Sequence, residues 1–524
     1  MAKASNFLFI MCDQLRYDYL SCYGHPTLQT PHIDALAARG VQFNNAYCQS
    51  PVCGAARMSA YTGRYMVSHG STWNNIPLAI GEFTMGDYLR AEGVRTALVG
   101  KTHHVADAEG MARLEVDPVS EVGVLVSQCG FEPYDRDDGL HPDQKVDPNL
   151  AYNNYLRAKG YDGKNPWHTF ANSVEDENGE VQSGWHMRNS HLPARVREED
   201  SETAYMTRQA MAFIDECGGD SWCLHLSYIK PHWPYIAPAP YHNMFGHNDL
   251  LPVVRSQAER DDPHPVHAAF MNHGDSQSFS QDHIREHVIP AYMGLIKQID
   301  DHIGTLMSFL EESGRLDDTM VVFTSDHGDY LGDHWLGEKD LFHEPSSRVP
   351  MIVVDPDEAA DITRGMKRDE LVEHIDLLPT FLDSLDAERY EHRLEGRSLL
   401  PLFRDASEQD WRDAAFSEAE FAVRSARLEL GLEPHECRAF MVRTAEWKYI
   451  FYEKFRPQLF DMLNDADELH DLGESPDHND IRVELHERLF KWLRTRPIRV
   501  TMSEKEISQR TGKSKQSGYL IGVW

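Results

Sequence analysis

Four short apolar segments, each followed at once by a cluster of polar residues, constrain the fold of this chain more than any other feature. Each has the length of a buried strand, and together they cover residues 6–11, 94–99, 221–228 and 319–324. Helical periodicity lies between them, in residues 31–38 and in the apolar repeat from Tyr292 to Leu310, which Gly314 ends. Alternating strands and helices predict an α/β fold with a largely parallel sheet.

The polar clusters lie where parallel strands place ligand sites. They are Asp13-Gln14, Lys101 to His103, Lys230 to Pro234 and Ser325 to Gly328. Because ligands of such sheets bind at the carboxyl ends of the strands, we expect the four clusters to form one site. Asp13, Asp326 and His327 offer oxygen and imidazole donors for a divalent cation, although an Asp-His-Gly sequence by itself is more often a turn.

A cysteine motif supplies the candidate nucleophile. Cys53-Gly54-Ala55-Ala56-Arg57 is followed closely by Thr62-Gly63-Arg64. A cysteine among small residues is more often part of a buried helix, so the motif is weak in isolation. Further motifs accompany it in order: Pro231 to Pro234, Asp326 to His334, Glu338-Lys339 and His374 to Thr380. From Asn6 to about Leu472 the motifs resemble the sulfatase branch of the alkaline phosphatase superfamily, and the chain is identified as a member.

The resemblance implies both a fold and a chemistry. The fold is an alkaline-phosphatase-like, mainly parallel sheet flanked by helices, with a smaller C-terminal α+β subdomain. Cys53 is oxidised to formylglycine by a formylglycine-generating enzyme, and the hydrate of this aldehyde is the nucleophile. One hydroxyl attacks the ester and the other later expels the anion, so that turnover needs no attack of water on the ester.

The resemblance also assigns roles to the site residues. One divalent cation, Ca²⁺ or Mn²⁺, is held by Asp13, Gln14, Cys53, Asp326 and His327. Arg57 and Lys101 stabilise the hydrate and the anionic oxygens, and His103 accepts the proton that releases the sulfate. His232 and Lys339 flank the leaving group, which they protonate or stabilise.

Departures from the family pattern bear on the substrate. Most sulfatases have Asp-Asp where this chain has Asp13-Gln14, a pair also found in phosphonate monoester hydrolases, whereas Lys101 and His103 match the sulfatases. We therefore expect hydrolysis of sulfate monoesters of the arylsulfatase type, with phosphonate monoesters and phosphodiesters as additional or even principal substrates. Ala55 takes the position at which proline is commoner in the family, and this difference bears on how efficiently Cys53 is converted to formylglycine. Asn74 matches the family only loosely.

Composition limits the partners and the compartment. The 524 residues include 84 acidic and 51 basic side chains, a formal charge of −33, which disfavours nucleic acid and anionic membranes. No segment approaches the ~20 apolar residues of a membrane span, and no signal peptide is recognisable. The eight cysteines form no C-x-x-C pair, as expected of reduced thiols. We expect a cytoplasmic homo-oligomer, dimer or tetramer, that acts on a small anionic ester.

Three regions are predicted along the chain: a catalytic α/β domain over residues 1–410, an α+β subdomain over 411–500, and a tail over 501–524 that could contact another subunit. Within the first, residues 104–199 and 242–287 are polar with few periodic apolar positions, so we expect surface insertions that shape the pocket entrance. In the second, residues 449–452 and 459–461 predict an antiparallel hairpin, followed by a helix from about 480 to 494.

Two other interpretations of the sequence are less well supported. A non-catalytic cation-binding protein with the same fold is disfavoured because all the candidate catalytic residues are present together. A nucleotide-binding loop at Thr511 to Ser514 is rejected, since Ile507 takes the position of the first P-loop glycine and no strand precedes it.

Overall fold

The structure, a computed structural model, describes residues 4–147, 149–407, 410–520 and 522. In these residues the strands are β1 Asn6–Asp13, β2 Val41–Tyr47, β3 Arg95–Gly100, β4 Glu132–Arg136, β5 Ser173–Glu175, β6 Val181–Ser183, β7 Trp222–Pro231, β8 Thr319–Ser325, β9 Arg348–Val354, β10 Met366–Glu373, β11 Ala414–Glu420, β12 Arg438–Thr444, β13 Trp447–Tyr452 and β14 Gln458–Asp461. The α-helices are α1 Pro31–Arg39, α2 Cys53–Thr62, α3 Met66–His69, α4 Met85–Ala91, α5 Ala108–Arg113, α6 Glu121–Val126, α7 Ala151–Ala158, α8 Glu202–Glu216, α9 Ala258–Asp261, α10 Pro265–Met271, α11 Gly274–Phe279, α12 Asp282–Glu312, α13 Glu344–Ser347, α14 Leu377–Ser384, α15 Leu400–Arg404, α16 Ser425–Glu429, α17 Asn479–Arg494 and α18 Glu504–Arg510.

Eight strands form the central sheet, in the order β10-β2-β9-β8-β1-β7-β3-β4. Neighbouring strands are parallel except at β9, which runs antiparallel to both β2 and β8. Every residue of β1 is buried, as expected of a strand that is covered on both faces. The prediction of a mainly parallel α/β sheet is confirmed.

Helices cover both faces of the sheet, and β1 shows how its side chains divide between them. Ile10 packs in a core that includes Ile299 of α12, whereas Phe9 packs on the other face with Phe381 of α14. Successive side chains of a strand point to opposite faces, which explains why a strand buried on both sides is apolar throughout. The helix predicted from Tyr292 begins earlier, at Asp282, because its polar first turns do not show the apolar repeat.

The register of the central strands places the polar clusters side by side. On β1, Cys12 lies opposite Ser325 of β8, and Asp13 lies opposite Pro231 of β7. The residues that follow these positions therefore meet at one edge of the sheet.

The C-terminal part contains an antiparallel sheet in the order β11-β12-β13-β14, as the predicted α+β subdomain requires. The predicted hairpin is confirmed by the pairing of β13 with β14, and α17 packs Leu489 and Trp492 against this sheet. In the tail, Tyr519 and Leu520 are exposed, whereas Ile521, Val523 and Trp524 lie outside the described residues. The domain boundaries and an oligomer contact through this tail stay predictions.

The two polar stretches, residues 104–199 and 242–287, pack onto the main core more closely than the sequence indicated. Tyr152, Leu156 and Trp167 are almost fully buried against the main core, and so is Phe279 of the second stretch. Their apolar residues are spread over helices of one or two turns, which are too short to show a clear period. Across the described ranges, no helix is both long enough and apolar enough to cross a membrane.

Candidate active site

The predicted site residues converge at the carboxyl edge of the sheet, around the first residue of α2. The nine that are buried there are Asp13, Gln14, Cys53, Arg57, Lys101, His232, Asp326, His327 and Lys339. His103 lies beside them and is half-buried. The strand-end positions come from β1, β3, β7 and β8, as the sequence predicted.

Helix α2 presents Cys53 at its amino-terminal end. Val52 provides no side-chain cap, and Asn74 Oδ1 instead accepts a hydrogen bond from the Gly54 backbone N–H, at 2.8 Å. A Cβ atom on residue 54 would lie 3.0 Å from that oxygen, so glycine permits the close approach. The helix end at Gly63, with φ of 64°, matches the Thr-Gly-Arg turn. The positive end of the helix dipole favours an anion at Cys53.

Cys53 and three neighbouring side chains form a cluster of the kind that a metal site requires. Ligand atoms of Asp13, Cys53, Asp326 and His327 all lie within 4.8 Å of one another. His327 Nδ1 is 2.8 Å from the Gly328 carbonyl oxygen, which can only accept, so Nδ1 carries the proton. Nε2 therefore faces the cluster, 3.1 Å from Cys53 Sγ, where it would be the atom available to a cation.

Gln14 adds a neutral oxygen to this cluster. Its Nε2 donates to Asp329 Oδ2 at 2.5 Å, and Tyr235 donates its hydroxyl to the same oxygen at 2.8 Å. These bonds fix the amide so that Oε1 faces the site, where it accepts from Lys339 Nζ at 3.0 Å. Two carboxylates, an amide oxygen and an imidazole nitrogen fit a hard divalent cation such as Ca²⁺ or Mn²⁺.

Basic side chains enclose the nucleophile position. Arg57 donates to Asp326 Oδ2 at 2.9 Å and to Asp13 Oδ2 at 3.2 Å, and Lys101 forms an ion pair with Asp13. Burial opposes ionisation of Cys53, but Lys101, Lys339, His327 and a hydrogen bond from His103 lower its pKa well below the usual range. The electrostatic field at Cys53 Sγ therefore stabilises negative charge.

His232 and Lys339 lie together on the side of Cys53 where a leaving group would depart. His232 Nδ1 donates to the Trp233 carbonyl oxygen at 2.7 Å, which leaves Nε2 facing Lys339 Nζ at 3.5 Å. Lys339 Nζ lies 3.3 Å from Cys53 Sγ. Glu338 and Asp340, on either side of this lysine, have φ of 56° and 92°, conformations that non-glycine residues rarely adopt and that concentrate at functional sites.

The backbone of His103 fixes its position. Its φ is 54°, and its N–H donates to Asp138 Oδ1 at 2.9 Å. Within the described residues its buried Nδ1 has no hydrogen-bond partner. A ring nitrogen free at this position is suited to exchange a proton with a bound substrate.

Comparison with known families decides the identity. The Sulfatase family profile matches residues 5–387, a range that includes all the candidate site residues. This chain belongs to the sulfatase family. The profile described as N-sulphoglucosamine sulphohydrolase, C-terminal, matches residues 332–495 of this sulfatase. The predicted family membership is confirmed, and with it the assignment as a sulfuric ester hydrolase.

Similar proteins come from both branches that the sequence indicated. The multifunctional alkaline phosphatase superfamily protein PehA of Trinickia caryophylli is 28% identical and covers 93% of this sulfatase and 95% of PehA. The arylsulfatase of Clostridium perfringens is 26% identical and covers 94% and 95% of the two chains. Among solved structures, the phosphonate monoester hydrolase SpPMH from Silicibacter pomeroyi has a TM-score of 0.82 at 26% identity, with 96% and 98% of the chains covered.

Several supporting residues of the sulfatase site were not predicted from the sequence. Asp329 and Tyr235 orient Gln14, Ser227 Oγ accepts from Arg57 Nη1 at 2.6 Å, and Asp138 holds the loop that carries His103. Asp329 lies inside the motif from Asp326 to His334, which was the one available signal. Asn74, which matches the family pattern only loosely, is positioned by the hydrogen bond that it accepts from the Gly54 backbone N–H.

Proposed function

We propose that this sulfatase hydrolyses sulfate monoesters of the arylsulfatase type through formylglycine derived from Cys53, with one bound Ca²⁺ or Mn²⁺. Phosphonate monoesters and phosphodiesters are proposed as additional substrates. Maturation would then require a formylglycine-generating enzyme. The observation that carries the proposal is the enclosure of the Cys53 side chain by Lys101, Lys339 and His327 next to a cluster of metal-binding donors.

The substrates proposed share a tetrahedral centre with a single negative charge. Formylglycine hydrate would supply one hydroxyl for attack on that centre and a second for expulsion of the anion, and a bound divalent cation would lower the pKa of the attacking hydroxyl. Asp13, Gln14, Asp326 and His327 would hold the cation. Lys101, with Arg57 behind it, would bind the anionic oxygens, because both cations are buried and fixed by carboxylates before substrate arrives.

Proton transfer falls to the two histidines. As the bond between sulfur and the ester oxygen breaks, His232 and Lys339 would supply a proton or a positive charge to the departing oxygen. His103 would then accept a proton from the second hydroxyl, so that the bond to sulfate breaks and the aldehyde reforms. Burial lowers the pKa of His232, and Asp13 opposes this effect.

A substrate panel tests the proposal. Purified enzyme is assayed with an aryl sulfate, a phenylphosphonate monoester, an aryl phosphodiester and an aryl phosphate monoester, with and without a chelator. We expect chelator-sensitive hydrolysis of the first three and much slower hydrolysis of the phosphate dianion. The absence of turnover with all four would support the non-catalytic cation-binding alternative.

A principal activity on phosphonate monoesters or phosphodiesters is the second candidate. It is favoured by Gln14 and by the match to SpPMH over nearly the whole of both chains. The panel separates the two, since kcat/KM for the phosphonate monoester would then exceed that for the sulfate. Lys101 and His103, which match the sulfatase pattern, favour the sulfate.

Replacement of His232 by alanine should slow hydrolysis in a manner that depends on the leaving group. We expect a loss of about 10²-fold or more for esters of weakly acidic alcohols, because these need a proton from the enzyme, and a much smaller loss for an activated phenol. Steady-state kinetics over esters that differ in leaving-group pKa provide the measurement, with the activated ester as internal control. An equal loss for every ester would remove His232 from this role.

A further inference from the structure

A cavity of about 230 Å³ lies next to the leaving-group side of the candidate site. Four aromatic residues and two acidic residues line most of it: Trp185, Trp233, Tyr235, Phe279, Asp275 and Glu338. Trp233 follows His232 directly, and their ring centroids are 4.5 Å apart. Glu338 directly precedes Lys339. An ester whose sulfur lies at Cys53 would therefore direct its leaving group past His232 and Lys339 towards this cavity.

The aromatic rings form two angled pairs with fixed positions. The centroids of Trp185 and Trp233 are 6.0 Å apart at 59°, and those of Tyr235 and Phe279 are 6.0 Å apart at 88°. The hydroxyl of Tyr235 is bound to Asp329, which holds its ring in place. The faces of aromatic rings are electron-rich and attract cations, ammonium groups in particular, and four such rings line this one volume.

Carboxylates outnumber guanidinium groups around the cavity. Arg424 Nη2 lies 3.4 Å from Glu338 Oε2 and 2.5 Å from Asp340 Oδ2, so one guanidinium faces the carboxylates of Glu338, Asp340 and the nearby Asp275. Lys339 Nζ contacts Cys53 and Gln14, and its charge also acts on Glu338 but is not among the charges that lower the pKa of Asp275. Burial and the charge of Glu338 raise the pKa of Asp275 to about 7, so a positive ligand here would relieve repulsion between carboxylates.

We infer that this cavity binds a leaving group that carries an ammonium cation on an apolar body. The inference rests on the proposed function, since it assigns the alcohol part of the same ester. Aromatic faces would contact the alkyl groups around the nitrogen, and Asp275 and Glu338 would balance its charge. The anionic and cationic ends of one substrate would then bind on opposite sides of His232 and Lys339.

Two aryl sulfates of the same shape test this inference, one with a 4-trimethylammonio group and one with a 4-tert-butyl group. The ratio of their kcat/KM values is measured in the wild-type enzyme and in Asp275→Asn, Glu338→Gln and Trp185→Leu. Because each enzyme meets the same two esters, comparing ratios between enzymes cancels the difference in chemical reactivity. Asp282→Asn, which removes an exposed carboxylate that does not line the cavity, is the matched control.

We expect the ratio to fall about tenfold in each carboxylate variant and several-fold in Trp185→Leu, and to stay unchanged in Asp282→Asn. The loss should appear with the cationic ester alone, which a general defect in folding or catalysis would not produce. A ratio that is the same in Asp275→Asn, Glu338→Gln and wild type would overturn the inference.

Calorimetric titration with the free phenols separates this inference from the proposed function. If the wild-type enzyme hydrolyses neither ester, the proposed function fails, but (4-hydroxyphenyl)trimethylammonium should still bind more tightly than 4-tert-butylphenol. That preference should decrease in Glu338→Gln. Equal binding of the two phenols would overturn the inference even if both esters are hydrolysed.

Discussion

Replacing Cys53 by alanine should reduce kcat for an aryl sulfate by at least about 10³-fold, because the covalent route is lost while the binding groups remain. Cys53 Sγ lies within 3.3 Å of both His327 Nε2 and Lys339 Nζ, which places it at the centre of the candidate site. Initial rates with purified protein provide the measurement, and thermal unfolding shows whether the variant is folded.

Cys48→Ala is the matched control for this variant. Cys48 is also buried and lies only a short distance earlier in the chain, but its side chain belongs to the apolar core on one face of the sheet. We expect it to retain most of the wild-type kcat and to lose some stability through the small cavity. A Cys53→Ala enzyme that keeps kcat within tenfold of wild type would contradict the role of this residue.

Asp326→Asn should remove the bound metal together with the activity. Asp326 Oδ2 accepts from Arg57 Nε at 2.9 Å, and Oδ1 accepts from the backbone N–H groups of Gln14 and His327 at 3.0 and 2.9 Å. Asparagine preserves the shape but removes one of the two carboxylates of the cluster, so we expect a large loss of affinity for a hard cation. Elemental analysis after gel filtration measures the metal content.

A second acidic group provides the control for the metal prediction. His32, Asp300 and Asp301 also bring ligand atoms within 4.8 Å of one another, but His32 is exposed and Lys297 already pairs with both carboxylates. Asp301→Asn should leave the metal content and kcat unchanged. If Asp326→Asn retained a full complement of metal, or if Asp301→Asn lost it, the assignment of the metal site would be wrong.

The sequence was sufficient to predict the sheet and most of the residues that touch Cys53. Parallel strands bring their carboxyl ends to one edge, so residues far apart in sequence, such as Asp13 and Asp326, could be placed together without coordinates. The contacts that orient the site side chains could not be predicted from the sequence. Asp329 lies inside the motif from Asp326 to His334, but the motif does not show that this residue contacts Gln14. Tyr235 contacts Asp329 from a separate segment, and nothing in its local pattern distinguishes it from a packed loop residue.

The cavity beside the site could not be predicted for a related reason. Trp185, Asp275 and Glu338 come from three separate parts of the chain, and the first two belong to stretches in which the helices are short. Such stretches show little periodicity, so the sequence predicted surface insertions there. Their apolar residues in fact pack onto the core.

Mass spectrometry of the proteolytic peptide that contains Cys53, from fully active enzyme produced together with a formylglycine-generating enzyme, tests the central claim most directly. We predict the mass of formylglycine or its hydrate at this position, and reaction of that peptide with an aldehyde-specific hydrazide. Fully active enzyme in which residue 53 is entirely unmodified cysteine would contradict it.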